Sequence, residues 1–100
     1  MSERRDPVEV APDVYKVLFE NDRVRVLEIT MNPGAKSDMH WHPDSVNYVL
    51  TGGEAAMTLP DASAMDMKVE PGGVVWQPAG DHAVLNTGAS QVKVVAVELK

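Results

Sequence analysis

The sequence contains no cysteine, which removes disulfides, thiolate metal ligands and a cysteine nucleophile together. No apolar run approaches the roughly 20 residues that a membrane-spanning helix needs. The opening MSERRDPVEVAPDV carries charges without an apolar segment, so no signal peptide is read and a cytoplasmic location is expected. Lys and Arg total 9 against 15 Asp and Glu, and only Arg4 and Arg5 cluster, so neither nucleic acid nor a membrane is an expected partner. Phosphate-cradling, dinucleotide-binding and nucleophile-elbow glycine motifs are also missing. No stretch repeats apolar residues at helical spacing over three turns, which argues against any long helix.

What recurs is short two-residue alternation broken by turn residues, the pattern of half-buried strands. VYKVLFE (14–20) and RVRVLEITM (23–31) flank Asn21-Asp22, a hairpin turn. NPGAKSD (32–38) reads as a loop. VNYVLTG (46–52), EAAMTL (54–59), AMDMKVE (64–70), VVWQ (74–77), HAVLN (82–86) and QVKVVAVELK (91–100) read as strands. In AMDMKVE, Met65, Met67 and Val69 share one face and Asp66, Lys68 and Glu70 the other. Eight or nine short strands without a long helix predict an all-β, antiparallel sandwich or barrel over residues 14–100. Residues 1–13, polar and carrying Pro7 and Pro12, are expected to form an N-terminal arm that is flexible or packed on a partner subunit.

Histidine is scarce, with three in the chain, and two of them bracket a tryptophan in MHWHPDSVNYVLTGG (39–53). In a strand His40 and His42 project side by side while Trp41 points away. A lone H-x-H pair is most simply read as polar residues hydrogen-bonded to loop carbonyls. Two neutral imidazoles on one face can equally converge on a first-row divalent metal at about 2.0–2.2 Å.

The pair has company. Gly34 precedes it by six positions, and Gly72, Pro78, Gly80, His82 and Asn86 follow in GVVWQPAGDHAVLN. These two blocks resemble the cupin motifs G-x5-H-x-H-x(3,4)-E-x6-G and G-x5-P-x-G-x2-H-x3-N. Gly34, His40 and His42 fit the first; Gly72, Pro78 and Gly80, then His82 and Asn86, fit the second. The interval from Gly80 to His82 is one residue short. The likeness is closest to small single-domain bacterial cupins with HPDSVxYVL in the first block. It implies an RmlC-like jelly roll, the antiparallel double-stranded β-helix. It further implies one divalent transition metal per chain (iron, zinc or nickel) on His40, His42 and His82, a homodimer, and a catalytic or ligand-binding cavity.

The glutamate of the first motif is missing. Counting onward from His42 reaches Ser45, Val46 or Asn47, and Asp44, the nearest acid, sits in a turn. The expectation is therefore a three-histidine site with further positions left to water or substrate. Three neutral ligands leave the full charge of the ion, which favours a small anionic guest. Three-histidine iron sites are similar to those of thiol and diketone-cleaving dioxygenases, so a dioxygenase or related enzyme is one expectation. A non-catalytic binder or sensor, accessory to β-alanine or amino-acid catabolism, is the other.

Asn47, Tyr48, Asn86, Gln77 and Arg25 are candidates for the cavity and its substrate. For Arg23 and Arg25 the simpler expectation is that Val24 and Val26 face the core and the arginines face water. Trp41 is expected at a subunit contact.

Overall fold

The computed structural model describes residues 4–100. Nine strands follow one short helix. The helix α1 spans Pro7–Val10, and the strands are β1 (Tyr15–Glu20), β2 (Val24–Met31), β3 (Lys36–His42), β4 (Ser45–Thr51), β5 (Gly53–Thr58), β6 (Ala64–Val69), β7 (Val74–Gln77), β8 (Gly80–Asn86) and β9 (Val92–Leu99). Five strands form one sheet in the order β1-β2-β9-β4-β7, and four form the other in the order β3-β8-β5-β6. Every pairing is antiparallel. This is the jelly-roll β fold that the alternation and the motif resemblance predict.

The inner face of β2 carries Leu27, Ile29 and Met31, which meet Tyr15, Ala96, Ala11 and Val14 in the core. Leu27 is fully buried, and burial of a side chain that size contributes about 1.5–3 kcal/mol. Arg25 shares this inner parity. Val24 and Val26 lie on the opposite, half-buried face, so the expected placement of the two valines in the core is reversed. Both faces of β2 carry β-branched residues, which left the choice of face open until β9 set it.

Two motif glycines have conformational reasons for being there. Gly34 and Gly72 occupy the left-handed region at φ 81° and 80°, in the turns that launch β3 and β7. Strand β3 starts earlier than its polar first residues suggest, because Lys36 and Ser37 pair with Leu85 and Val84 of β8.

The segment expected as an arm lies on its own barrel from Asp6 onward; residues 1–3 fall outside the described residues. Asp6 caps α1 by accepting a hydrogen bond from the Val8 amide at 2.9 Å, and Pro7 fits the first turn. Pro7 and Ala11 are buried. Just before the helix, the Arg5 carbonyl accepts the Trp41 amide at 2.8 Å, covering that point of β3. The Arg4 guanidinium stacks 4.2 Å above the Trp41 ring. Trp41 is thereby packed by its own chain.

Candidate metal centre

Register brings the three histidines together. His40 and His42 share one face of β3, and His82 on the neighbouring strand β8 pairs directly with His40. A bulge between Ser37 and His40 turns both of those residues inward despite their odd spacing, the kind of re-aiming that bulges provide beside sites. All three imidazoles are buried. Ring centroids stand 4.8 Å apart for His40–His42, 4.8 Å for His40–His82 and 5.0 Å for His42–His82. One ligand-capable nitrogen from each lies within 4.8 Å of the others. The three nitrogens are thus close enough to one another to share one ion.

Each ring is held by a different partner on its Nδ1 side. His40 Nδ1 donates to the Asp38 carbonyl at 2.7 Å, and His42 Nδ1 donates to Glu98 Oε2 at 2.5 Å. The Gln77 side-chain nitrogen stands 2.7 Å from His82 Nδ1 and donates to it. With the amide turned over, the Gln77 oxygen would accept an Nδ1 proton and leave His82 Nε2 free for a cation. Three rings oriented through Nδ1 and facing one another are the arrangement that imidazole–metal centres use. The residues present therefore fit a divalent ion, and this cluster is able to hold one.

Charge is consistent with ligation. Burial pushes the His40 imidazole down to about 4 and the His82 imidazole down to about 3, with neighbouring histidines adding to both shifts. Both are neutral at pH 7, with lone pairs available. The Tyr15 hydroxyl donates to His40 Nε2 at 3.0 Å. A cation would take that same lone pair, so loading requires the hydroxyl to give it up. Burial raises the Tyr15 hydroxyl to about 12, so it remains a proton donor throughout the physiological range.

No carboxylate was expected at the site, and the structure places one against it. Glu98 is 2% exposed on β9, directly opposite Ser45 of β4. Besides His42 it accepts a hydrogen bond from Arg25 Nε at 2.9 Å, while Arg25 Nη1 reaches Asp6 at 2.8 Å. Burial works to raise the Glu98 carboxyl, but the His42 and Arg25 hydrogen bonds outweigh it and hold the group below its usual range. Because it meets Nδ1, Glu98 orients His42 from behind and stands outside the Nε2 side of the cluster.

The cavity in front of the histidines has a volume of about 600 Å³. Asn47 and Gln77 line it, and Asn47 Nδ2 donates to the buried Ser45 hydroxyl at 3.1 Å. Asn86 also reaches its wall, yet its amide is committed to Met31 and Ser90 carbonyls at 2.9 Å each and to the Gly88 amide; it ties the turn before β3 to the turn before β9. Tyr48 lies on the outer face, because Asn47 and Val49 take the inner positions beside it. Arg25 stands behind the cavity wall, engaged by Glu98 and Asp6. Asp44 accepts the Ala79 amide at 2.8 Å and is a turn former. Tyr15 and Glu98 were not singled out from sequence.

A family profile described as a cupin domain (Cupin_2) matches residues 27–98. No protein of curated function matches the sequence. Among solved structures, the chain is similar to a cupin domain from Bordetella pertussis Tohama I, at 24% identity and TM-score 0.80, covering 100% of this chain and 99% of that one. It is also similar to a cupin superfamily protein from Desulfitobacterium hafniense DCB-2, at 23% identity and TM-score 0.64, covering 86% and 75%. The polyketide cyclase RemF from Streptomyces resistomycificus matches at 20% identity and TM-score 0.65, covering 99% and 80%. At these identities the likeness shows the fold.

Proposed function

The chain belongs to the cupin domain family, and from that premise we propose that it is a metal-dependent protein acting on a small molecule in the barrel. His40, His42 and His82 hold one divalent transition ion, iron, zinc or nickel. The observation that carries this reading is the separate Nδ1 partner on each ring: Asp38 carbonyl, Glu98 and Gln77. Histidines kept only as cavity polar groups would not need a separate orienting contact at each Nδ1.

A bound ion supplies Lewis acidity and, as iron, redox capacity. The protein's own contribution is positional. Glu98, backed by Arg25, fixes His42. Gln77 fixes His82. The Tyr15 hydroxyl, once released from His40, faces the space beside that ring and can donate to an oxygen of the guest. Asn47 lines the same end of the cavity. The activity that suits this arrangement is that of a dioxygenase or related enzyme; a ligand-binding or sensing role uses the same cavity without turnover.

Metal analysis of protein purified without added metal, followed by titration with Fe(II), Zn(II) and Ni(II), tests the first part. About one ion per chain, lost in His82→Ala, supports it; no binding of any of the three overturns it. Oxygen uptake by iron-loaded protein with small thiols, diketones and carboxylates tests the catalytic part. Turnover supports an enzyme, and stabilisation by a ligand without turnover assigns a binder.

In this reading the partner subunit is a second copy of the chain, seated on the outer face of the five-stranded sheet. Val46, Tyr48, Leu50, Val74 and Trp76 are 37–66% exposed there, on adjacent strands β4 and β7. Such contiguous apolar exposure with two aromatics is typical of interfaces. An uncharged patch can meet its own copy about a two-fold axis without charge repulsion. Sedimentation at micromolar concentration checks this: a dimer that Trp76→Glu converts to monomer is expected, and a monomeric wild type rejects it.

A further inference from the structure

We infer that the molecule this cavity accepts is uncharged and mainly apolar, with a single oxygen-bearing head that reaches the three histidines. The inference rests on the metal reading only for the head; the tail follows from the walls. Away from the histidine end, the cavity is surfaced by side chains such as Met31, Met57, Met65, Met67, Val84 and Val94. The polar side chains at the inner end, Asn47 and Gln77, are already hydrogen-bonded to Ser45 and His82.

Among the described residues no cationic side chain is placed to receive a free carboxylate. Arg25 lies behind the wall and is neutralised by Glu98 and Asp6. Lys68 touches the rim, but its side chain is 76% exposed and turned toward Glu70 at 3.8 Å. Asp81 adds negative charge to the lining. A carboxylate carried away from the ion would therefore lose its hydration and gain no partner, at a cost of several kcal/mol. The small anionic guest expected from the charge of the ion does not suit these walls.

Size and texture point the same way. About 600 Å³ lies within the range of roughly 300–1,000 Å³ that encloses drug-sized ligands. Four methionines with unbranched, polarisable chains let the walls adapt to irregular hydrocarbon shapes. Each methylene transferred from water into such a lining strengthens binding about fourfold.

The test is calorimetric titration of the full chain, zinc-loaded and metal-stripped, with acetohydroxamic, hexanohydroxamic and octanohydroxamic acids. Butan-1-ol, octan-1-ol and succinate serve as comparators. The expected result on zinc-loaded protein is a rise of roughly fourfold per methylene until the cavity fills, with succinate weaker than hexanohydroxamate. Octan-1-ol is expected to bind more tightly than butan-1-ol to either form. A flat hydroxamate series with zinc bound, or succinate binding more tightly, overturns the inference while leaving the metal site standing. Failure of zinc to bind removes the metal reading, and the alcohol pair then decides the tail alone: equal or absent binding of the two refutes it. Val94→Phe, checked for folding by its melting curve, is expected to weaken octanohydroxamate at least tenfold and leave acetohydroxamate unchanged. Equal loss for both refutes a tail lying along that wall.

Discussion

Arg25→Met isolates the support behind the metal centre. Removing the guanidinium leaves Glu98, 2% exposed, with His42 as its one remaining hydrogen-bond partner. Breaking a buried ion pair from one side costs about 3–5 kcal/mol. The 15% exposure of the Arg25 side chain and the 37% exposure of Asp6 let water relieve part of this, which places the expectation near the lower end, about 3 kcal/mol. For a domain of this size that is a fall in melting temperature of roughly 15 °C. Urea unfolding of metal-stripped protein is the assay, so that ligation does not contribute. Pairing the change with Glu98→Gln should recover at least about 1 kcal/mol, because the neutral amide no longer needs a countercharge. A loss under about 1 kcal/mol in Arg25→Met, or a double variant no better than the single, would refute a buried carboxylate held by that arginine.

Other consequences are independent of that network. Glu98→Gln in otherwise intact protein is expected to weaken zinc binding about 10- to 100-fold, since the anionic acceptor that orients His42 is lost; unchanged affinity in a competition titration with a chromophoric chelator contradicts it. Metal-stripped protein should lose stability as pH falls from 6.5 toward 4. His40 and His82 are held at about 4 and about 3 against 6.5 in the unfolded chain, so the unfolded state takes up protons first over that window. Urea midpoints flat between pH 7 and 4.5 would count against buried neutral imidazoles. Gly52→Ala would set a methyl 2.2 Å from the Val69 carbonyl oxygen, and overpacking against backbone costs about 1–3 kcal/mol; a wild-type melting curve would show that the turn relaxes freely.

Strands and candidate ligands were legible in the sequence for different reasons. Alternation marked β6 through Met65, Met67 and Val69, and the spacing of Gly34, His40, His42 and His82 carried the cluster through a family motif. What supports the cluster was not legible. Glu98 sits in a run of ordinary alternation, 56 residues from His42, and only the pairing of β4 with β9 sets it beside the site. Tyr15 likewise depends on which face β1 turns inward. Arg25 could be assigned to either face of β2 because both are apolar enough to be buried. Residues 7–10 escaped notice as a helix because four residues show no periodicity, although Asp6-Pro7 is a legible cap.

The position of β9 holds the larger sheet in one piece. It is the middle strand, flanked by β2 and β4, and the other described strands of that sheet form two separate pairs without it. The histidine rings themselves are set side by side by β3 and β8 in the other sheet. Local opening of β9 is therefore expected to take Glu98 away from His42 and part the inner wall in a single event, while leaving the three rings neighbours.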